Sequence, residues 1–394
     1  WVNPMKKLNP LLALALLTAC AGQSEFEVQQ SYPAVDAAFA GRINLNSLSN
    51  YANQTVPAYI RRFNDTNFIT NAGATLGRVL FYDKKLSSNE TVACASCHRQ
   101  DTAFSDSATA STGVNGTTGR HSMRLINARF AQELKFFWDE RASSLEDQTS
   151  RPIQDHNEMG YSGQNGDPSI NDLITKLEAK DYYKELFTFV YGNDDITEAK
   201  IQQALAQFIR SIQSFDAKYD AGRSVVNKET ENFPNFTTQE NNGKLLFLTE
   251  PIFDNKSERI GGGLGCQKCH KAPEFDIDPN TKSNGFGGSI NGGPDFTNTR
   301  SPSLRNLTNT QGQVNGPMMH TAIIKDLQAA IGHYGNLTNA AKTNSNLDKR
   351  LKPNGIDGQQ LHLTAQEINS VIAFLKTLAG TDVYTNEKWS NPFE

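Results

Sequence analysis

Two short motifs of the form Cys-x-x-Cys-His constrain this chain more than any other feature. The first runs from Cys94 to His98 and the second from Cys266 to His270. In such a motif the two thiols can add to the vinyl groups of a haem, and the adjacent imidazole can bind the iron. The sequence therefore predicts two covalently bound haem c groups, with the attachment residues Cys94, Cys97, His98, Cys266, Cys269 and His270.

Paired cysteines also occur in zinc sites and disulfides. The two pairs of a zinc ribbon are usually separated by about 15 to 20 residues, whereas these motifs begin at residues 94 and 266. Zinc is therefore a poor interpretation. A pair of unrelated disulfides is the other alternative.

Size and charge limit the classes of protein further. The 394 residues are enough to bury one large core or two ordinary ones. The formal net charge is only -4, and no basic run or basic-aromatic alternation points to nucleic acid. We therefore expect no nucleic-acid partner.

Residues 1–20 have the pattern of a bacterial secretion signal. Lys6 and Lys7 precede an apolar stretch over 11–17, and small residues precede Cys20. The position of Cys20 resembles a lipoprotein box, which predicts an exported lipoprotein that is periplasmic or held at the outer membrane by its lipid alone. Ordinary signal cleavage near Ala21 is the alternative. The apolar run is far shorter than the roughly 20 residues that span a bilayer.

Apolar periodicity predicts the same arrangement of helices in each half of the chain. A helix over 76–82 precedes the first motif, and a helix that begins with a capping box at Thr237 precedes the second. Apolar residues on one helical face predict closing helices over 197–215 and 364–379. The sequence thus indicates an internal duplication.

The predicted fold is mainly α, with two cytochrome c-like domains that each hold one covalent haem and with long irregular loops. We assign 21–60 to a tether, 61–225 to the N-terminal domain and 226–394 to the C-terminal domain. The irregular stretches over 102–120 and 279–300 are rich in Gly, Asn, Ser and Thr. Loops of this length are usually functional or disordered, and packing against a porphyrin can order them.

The segment between the motifs carries a further series of residues. It reads Phe-Phe-Trp-Asp-Glu-Arg-Ala over 136–142, Leu-Glu-Asp-Gln over 145–148, Pro-Ile at 152–153 and Glu-Met-Gly over 158–160. This series resembles the bacterial di-haem cytochrome c peroxidases and their MauG-type relatives. The resemblance extends from about residue 76 to 380.

The resemblance implies roles for residues of the first half. His98 is then the proximal ligand of a peroxidatic haem, and Glu158 matches the family's distal acid, which can move a proton between peroxide oxygens. Gln148 and Pro152 match the other distal residues. Trp138 matches a tryptophan that relays electrons between the haems. The alternatives are a solvated carboxylate at Glu158 and an ordinary buried aromatic at Trp138.

For the second half the resemblance implies that His270 is the proximal ligand of an electron-transfer haem. The resemblance implies a sixth ligand, which is Met in the peroxidases and Tyr in MauG-type relatives; Met raises the reduction potential. Tyr334 is our first choice for this ligand, with Met319 and His333 as alternatives.

His121 departs from the family pattern. The resemblance implies a calcium ion between the domains, held partly by an asparagine at the position of His121. Imidazole is a poor ligand for a hard cation that prefers oxygen, so the sequence argues against calcium. We interpret His121 as a hydrogen-bonded structural residue, with a distal haem ligand as the alternative.

The predicted function is reduction of hydrogen peroxide to water with electrons from a small cytochrome c or a copper protein. One alternative is a MauG-like oxidase that modifies side chains of a partner protein. The other is a non-catalytic di-haem electron carrier.

Overall fold

The structure is a computed structural model that describes residues 30–63, 66–297, 300 and 303–394. The predicted signal peptide and the first residues of the predicted tether lie outside the described residues. Within the part of the chain that is described, no helix combines the length and the apolar character that crossing a bilayer requires.

Helices are the main regular elements. The α-helices are α1 (Pro33–Phe39), α2 (Asn71–Tyr82), α3 (Cys94–Cys97), α4 (Leu145–Ser150), α5 (Ile170–Glu178), α6 (Asp181–Tyr191), α7 (Glu198–Ser211), α8 (Lys218–Arg223), α9 (Thr238–Leu248), α10 (Leu327–His333), α11 (Thr338–Thr343), α12 (Ala365–Lys376) and α13 (Asp382–Thr385). Short 3₁₀ helices cover Lys84–Leu86, Gln100–Thr102, Ala128–Phe130, Cys266–Lys268, Lys349–Leu351 and Glu387–Trp389.

Strands are few and short. Two antiparallel pairs form, and they are β1 (Pro251–Phe253) with β2 (Arg259–Gly262), and β3 (His270–Lys271) with β4 (Asp276–Ile277). The predicted mainly helical class with little strand is confirmed.

Helices α2 and α7 form the pair that supports the first motif. Thr70 caps α2 and Thr197 caps α7, each by accepting a hydrogen bond from the backbone N–H three residues on. Gly77 allows the two helices to approach closely, because a Cβ at this position would overlap the carbonyl oxygen of Ala204. The opening and closing helices predicted for the first half are both present.

The second half repeats this device with α9 and α12. Thr237 and Thr364 each begin a capping box. In each box the carboxylate of the glutamate three residues on accepts a hydrogen bond from the backbone N–H of the threonine. Gly243 of α9 lies against the carbonyl of Ser370 in α12, where a Cβ would again overlap it. The close helix pair is therefore built in the same way in both halves.

The apolar core has two clusters that follow the two halves of the chain. The first contains buried residues between 32 and 212, and the second contains buried residues between 219 and 378. The end of the chain returns to the first cluster through Val383 and Trp389. Residues 32–394 together form one compact unit.

A buried ion pair lies beside Tyr219 of the second cluster. Arg305 is fully buried, and its guanidinium donates to the carboxylate of Asp220 over 2.9 Å and to the carbonyl of Pro273 over 2.8 Å. Removal of one partner of such a pair costs about 3–5 kcal/mol, because a buried charge is left uncompensated.

Residues 32–51 pack into the core and do not form the predicted tether. Val35 and Phe39 of α1 and Tyr51 are buried, and α1 lies against α6. The Tyr51 hydroxyl donates to the carbonyl of Lys388 over 2.5 Å. The apolar residues of this stretch are spaced too irregularly to give a sustained period, and this is why the sequence pattern does not reveal them.

Candidate haem sites

The first motif presents two thiols and an imidazole from one short turn. Cys94 and Cys97 begin and end α3, and both are free thiols. His98 follows directly, and its Nδ1 donates to the carbonyl of Phe104 over 3.4 Å. This bond leaves Nε2 as the nitrogen that can bind a metal. Burial lowers the pKa of His98, which favours the neutral ring that a metal ligand requires.

A cavity of about 460 Å³ opens beside this motif. Its lining includes both cysteines and His98 of the motif, and it also includes every residue predicted to act in catalysis: Glu158, Gln148, Pro152 and Trp138. These residues are separated by 40 to 60 positions from the motif, and the fold brings them to one space.

Glu158 is held at this cavity by its backbone. Its N–H donates to Oδ1 of Asp155 over 3.0 Å, and its carbonyl accepts from the N–H of Val114 over 3.0 Å. Burial raises the pKa of Glu158 to about 7, the charge of Asp155 adds to the increase, and Arg141 opposes it. A carboxyl group with this pKa can accept and return a proton near neutral pH.

Gln148 and Pro152 reach the cavity from α4 and the turn that follows it. Ser144 caps α4, and Glu146 on the same helix forms an ion pair with Arg210 of α7, where Oε2 and Nη2 are 3.1 Å apart. This pair fixes α4 against the helix that supports the first motif. The position of Gln148 therefore depends on packing that is remote in sequence.

A second cavity of about 220 Å³ lies beside the second motif. Cys266, Cys269 and His270 line it, and the two thiols are free. Tyr334 at the end of α10 and Met319 also line this cavity. Burial lowers the pKa of His270 to about 4, and the backbone of Phe275 partly opposes this effect.

His333, the third candidate for the sixth ligand, is placed differently. Its Nε2 donates to the carbonyl of Asn284 over 3.0 Å. The described lining of the second cavity includes Tyr334 and Met319 but does not include His333. The geometry thus separates His333 from the other two candidates.

Trp138 lies in a wall that the two cavities share. Its Nε1 donates to the carbonyl of His121 over 2.8 Å, and its own carbonyl accepts from the N–H of Arg300 over 3.1 Å. The residue is 9% exposed. Trp138 therefore contacts both cavities from one position.

Three basic side chains of this shared wall carry buried nitrogens that make no hydrogen bond. His121, Arg124 and Arg300 line both cavities and are 5–8% exposed. Neither ring nitrogen of His121 makes a hydrogen bond, and Nε of each arginine is likewise buried without one. The interpretation of His121 as a hydrogen-bonded structural side chain is wrong, because only its backbone is bonded. We call these three residues the basic wall.

Comparison with known proteins shows similarity to one family. The family model of the di-haem cytochrome c peroxidases matches residues 71–228. The methylamine utilization protein MauG of Methylophilus methylotrophus is 29% identical over 324 residues, which cover 80% of this chain and 84% of that protein. Cytochrome c551 peroxidase of Nitrosomonas europaea is 25% identical over 310 residues, which cover 78% and 80%. The chain is therefore similar to di-haem cytochrome c peroxidases and MauG proteins over about four fifths of its length.

A solved structure shares the fold of this chain. The crystal structure of a MauG-like protein associated with microbial copper homeostasis superposes with a TM-score of 0.63 at 24% identity. The match covers 87% of this chain and 99% of that chain. The likeness shows a shared fold over nearly the whole relative.

Similarity to this family of oxidoreductases implies two haem c groups, and the residues fit them. Each cavity is lined by two free thiols and a half-buried histidine. The buried unpaired Nε atoms of Arg124 and Arg300 need a hydrogen-bond acceptor. Haem propionates are carboxylates that can meet this need from either cavity.

The described residues of the basic wall do not fit a calcium ion. Calcium takes six to eight oxygen ligands, whereas this wall presents imidazole and guanidinium nitrogens. The carbonyl oxygen of His121 already accepts from Trp138, and the carboxylate of Asp276 faces Arg300 at 3.7 Å. No group of three or more His, Cys, Asp or Glu residues suited to a metal ion exists among the described residues.

Sequence reasoning missed three residues of these sites. Arg124 is the one charged residue between Met123 and Leu125. A single charge flanked by apolar residues can indicate a buried side chain that needs a partner. Asn284 and Arg300 lie in a loop rich in Gly, Asn and Thr, where such residues ordinarily indicate turns. Their position at the cavities follows only from the fold.

Proposed function

We propose that this protein reduces hydrogen peroxide to water at the N-terminal haem, with electrons that enter through the C-terminal haem. The observation that carries the proposal is the position of Glu158 in the cavity of the first motif. The second cavity instead contains Tyr334 and Met319, which can occupy the sixth position of a haem iron. One site is thus suited to a small substrate and the other to electron transfer.

The chemistry divides between cofactor and protein. When bound, each haem supplies an iron that can accept and donate electrons. Peroxide takes up two electrons and two protons and leaves as two water molecules. Glu158 removes a proton from one peroxide oxygen and returns it to the leaving oxygen, and its pKa near 7 suits both steps. The amide of Gln148 orients the peroxide. Pro152 lines the same cavity with an apolar ring and offers no backbone N–H as a donor.

The shared wall connects the two sites. Trp138 lies between them and serves as the electron relay. Arg124, Arg300 and His121 bind haem propionates and thereby take the place of an inter-domain calcium ion. A small cytochrome c or a copper protein supplies the electrons.

Steady-state kinetics tests this function. The purified holoprotein is mixed with reduced cytochrome c and hydrogen peroxide, and oxidation of the cytochrome is followed. We expect sustained turnover at two cytochromes per peroxide. The absence of turnover, with both haems present and peroxide still consumed once, would refute the proposal.

A MauG-like oxidase is the second candidate. It is favoured by the 29% identity to a MauG protein and by Tyr334 in the second cavity. Such an enzyme holds two oxidising equivalents and uses them on side chains of a partner protein. Negligible turnover with cytochrome c, together with slow return of both haems to the resting spectrum, would favour it.

We also propose export and division into two haem domains. The N-terminal pattern that ends at Cys20 predicts a lipoprotein anchored by its lipid, and the two apolar clusters correspond to domains that divide near residues 222–235. Mass spectrometry of the mature N-terminus tests the anchor, since a diacylglycerol adduct on Cys20 is expected.

A further inference from the structure

The three candidates for the sixth ligand of the C-terminal haem all contact one residue. Nδ2 of Asn284 donates to Oη of Tyr334 over 3.1 Å and to Sδ of Met319 over 3.4 Å. The carbonyl of the same residue accepts from Nε2 of His333 over 3.0 Å. We propose that Asn284 is a positioning residue that selects Tyr334 as the sixth ligand over Met319 and His333. This inference rests on the proposed assignment of the second site to electron transfer.

The orientation of the Asn284 amide is fixed independently of these contacts. Its Oδ1 accepts from the backbone N–H of Phe286 over 3.0 Å. A backbone N–H can only donate, so the oxygen of the amide must face Phe286 and the NH₂ group must face Tyr334 and Met319. The side chain therefore acts as a donor toward both candidates.

The loop that carries Asn284 is held firmly. Ser283 is fully buried, its N–H donates to the carbonyl of Asn346 over 3.0 Å, and its hydroxyl accepts from the amide of Asn344 over 2.8 Å. Gly285 has a φ of +89°, which residues other than glycine rarely adopt, and a Cβ there would press on Leu337 and Leu347. The donor is thus fixed in place before any ligand binds.

Each of the three contacts favours the same outcome. A tyrosinate ligand carries negative charge, and an N–H donor stabilises it. The same NH₂ group occupies a lone pair of the Met319 sulfur, which weakens its ability to bind iron. The carbonyl of Asn284 engages Nε2 of His333, so that this nitrogen is unavailable. Asn284 therefore assists one candidate and restrains the other two.

The selection sets the reduction potential of the second haem. Methionine as the axial ligand raises the potential, whereas an anionic oxygen ligand stabilises the oxidised iron. Retention of Tyr334 keeps the C-terminal haem easy to oxidise. A low potential favours transfer of oxidising equivalents from the first haem to the second.

Asn284→Asp is the sharpest test. It keeps the size of the side chain and the bond from Phe286, and it replaces the NH₂ donor by an acceptor. We expect the ratio of Tyr-ligated to Met-ligated ferric haem to fall about tenfold or more, the change that follows loss of a hydrogen bond to an ionised group. EPR and near-infrared spectra of the holoprotein report the ligand, and potentiometry should show an upward shift.

Three further variants control this test. Met319→Leu should keep the wild-type spectra, and Asn284→Asp combined with Met319→Leu should lose the Met-ligated signal. Asn344→Ala weakens the same loop without contacting a candidate ligand, and it should leave the ligand unchanged.

Two outcomes would overturn the inference, and they are distinguishable. Wild-type spectra and potential in Asn284→Asp, with altered spectra in Tyr334→Phe, would remove the role of Asn284 alone. Unaltered spectra in Tyr334→Phe would show that Tyr334 is not the ligand, and the role of Asn284 would fall with that assignment. Neither result bears on turnover at the first haem, which the kinetic test measures.

Discussion

The two halves of the molecule share the same helix pair and haem motif, and they differ in the other side chains that line their cavities. In both, a helix with a close-packed glycine lies against a closing helix, and a turn presents two thiols and a histidine. The first cavity is about 460 Å³ and contains Glu158, whereas the second is about 220 Å³ and contains Tyr334 and Met319. A small number of distal side chains thus assigns different chemistry to duplicated units.

Removal of the thiols from one half at a time should give the largest effects. We expect Cys94→Ala with Cys97→Ala to lose one haem and all peroxide turnover, because Glu158 then has no iron beside it. Cys266→Ala with Cys269→Ala should also lose one haem, but a single reaction with peroxide should persist. Intact mass spectrometry and stopped-flow spectra check both variants. Equal loss of the single reaction in both would break the proposed division of labour.

Glu158→Gln should produce the next largest loss. The amide preserves the size of the side chain but cannot accept a proton, and general acid-base catalysis typically contributes about 10²–10⁴-fold. We expect turnover to fall within this range while both haem spectra are kept. Glu178→Gln, an exposed glutamate of α5 away from the cavity, is the matched control and should retain full activity. Full peroxide reactivity in Glu158→Gln would instead favour an electron carrier.

The pH profile should report the same carboxyl group. Burial raises the pKa of Glu158 to about 7, Asp155 adds to this, and Arg141 opposes it. The base must be deprotonated, so turnover should fall as pH decreases through about 7, by about tenfold per pH unit at pH values well below the pKa. The fall should be absent in Glu158→Gln. A profile that is the same in both proteins would assign the titration to another group.

Much of this organisation was predictable because it depends on local chemistry. The haem motifs combine thiols and imidazole within five residues, and the capping boxes at Thr237 and Thr364 are local hydrogen-bond patterns. The opening and closing helices of each half followed from apolar periodicity and the capping signals, whereas their close packing at Gly77 and Gly243 is seen only in the structure. The candidate distal residues came from a resemblance, since nothing local distinguishes Glu158 from a solvated glutamate.

The residues that could not be predicted act across long distances in sequence. Tyr51 contacts the chain near Lys388, and Asn284 contacts Met319 and Tyr334. Neither contact produces a periodic pattern or a motif in the sequence. His121 was misinterpreted because a buried histidine is ordinarily hydrogen-bonded, and only the fold shows that its ring faces two cavities.

Trp138→Phe should have a smaller effect, confined to communication between the halves. The replacement keeps an aromatic ring in the shared wall but removes the indole and its bond to the carbonyl of His121. We expect unchanged haem spectra and slower oxidation of the second haem after peroxide reacts at the first, as measured by rapid-mixing spectroscopy. Trp389→Phe, which alters a buried indole that lines neither cavity, should leave this rate unchanged. Unchanged transfer in Trp138→Phe would assign the residue a structural role alone.

Chelation of calcium should have the smallest effect. An unchanged protein after chelation would indicate that the wall between the halves does not depend on a bound metal ion. Because the guanidinium groups of Arg124 and Arg300 supply positive charge directly, EGTA should leave the haem spectra and turnover unaltered, and elemental analysis should find calcium well below one ion per protein. Arg124→Gln removes one of these charges, and it should lower the potential of at least one haem because the propionates lose a compensating cation. Stoichiometric calcium with loss of activity in EGTA would contradict this view, and the halves would then be joined by an ion whose ligands the basic wall does not supply.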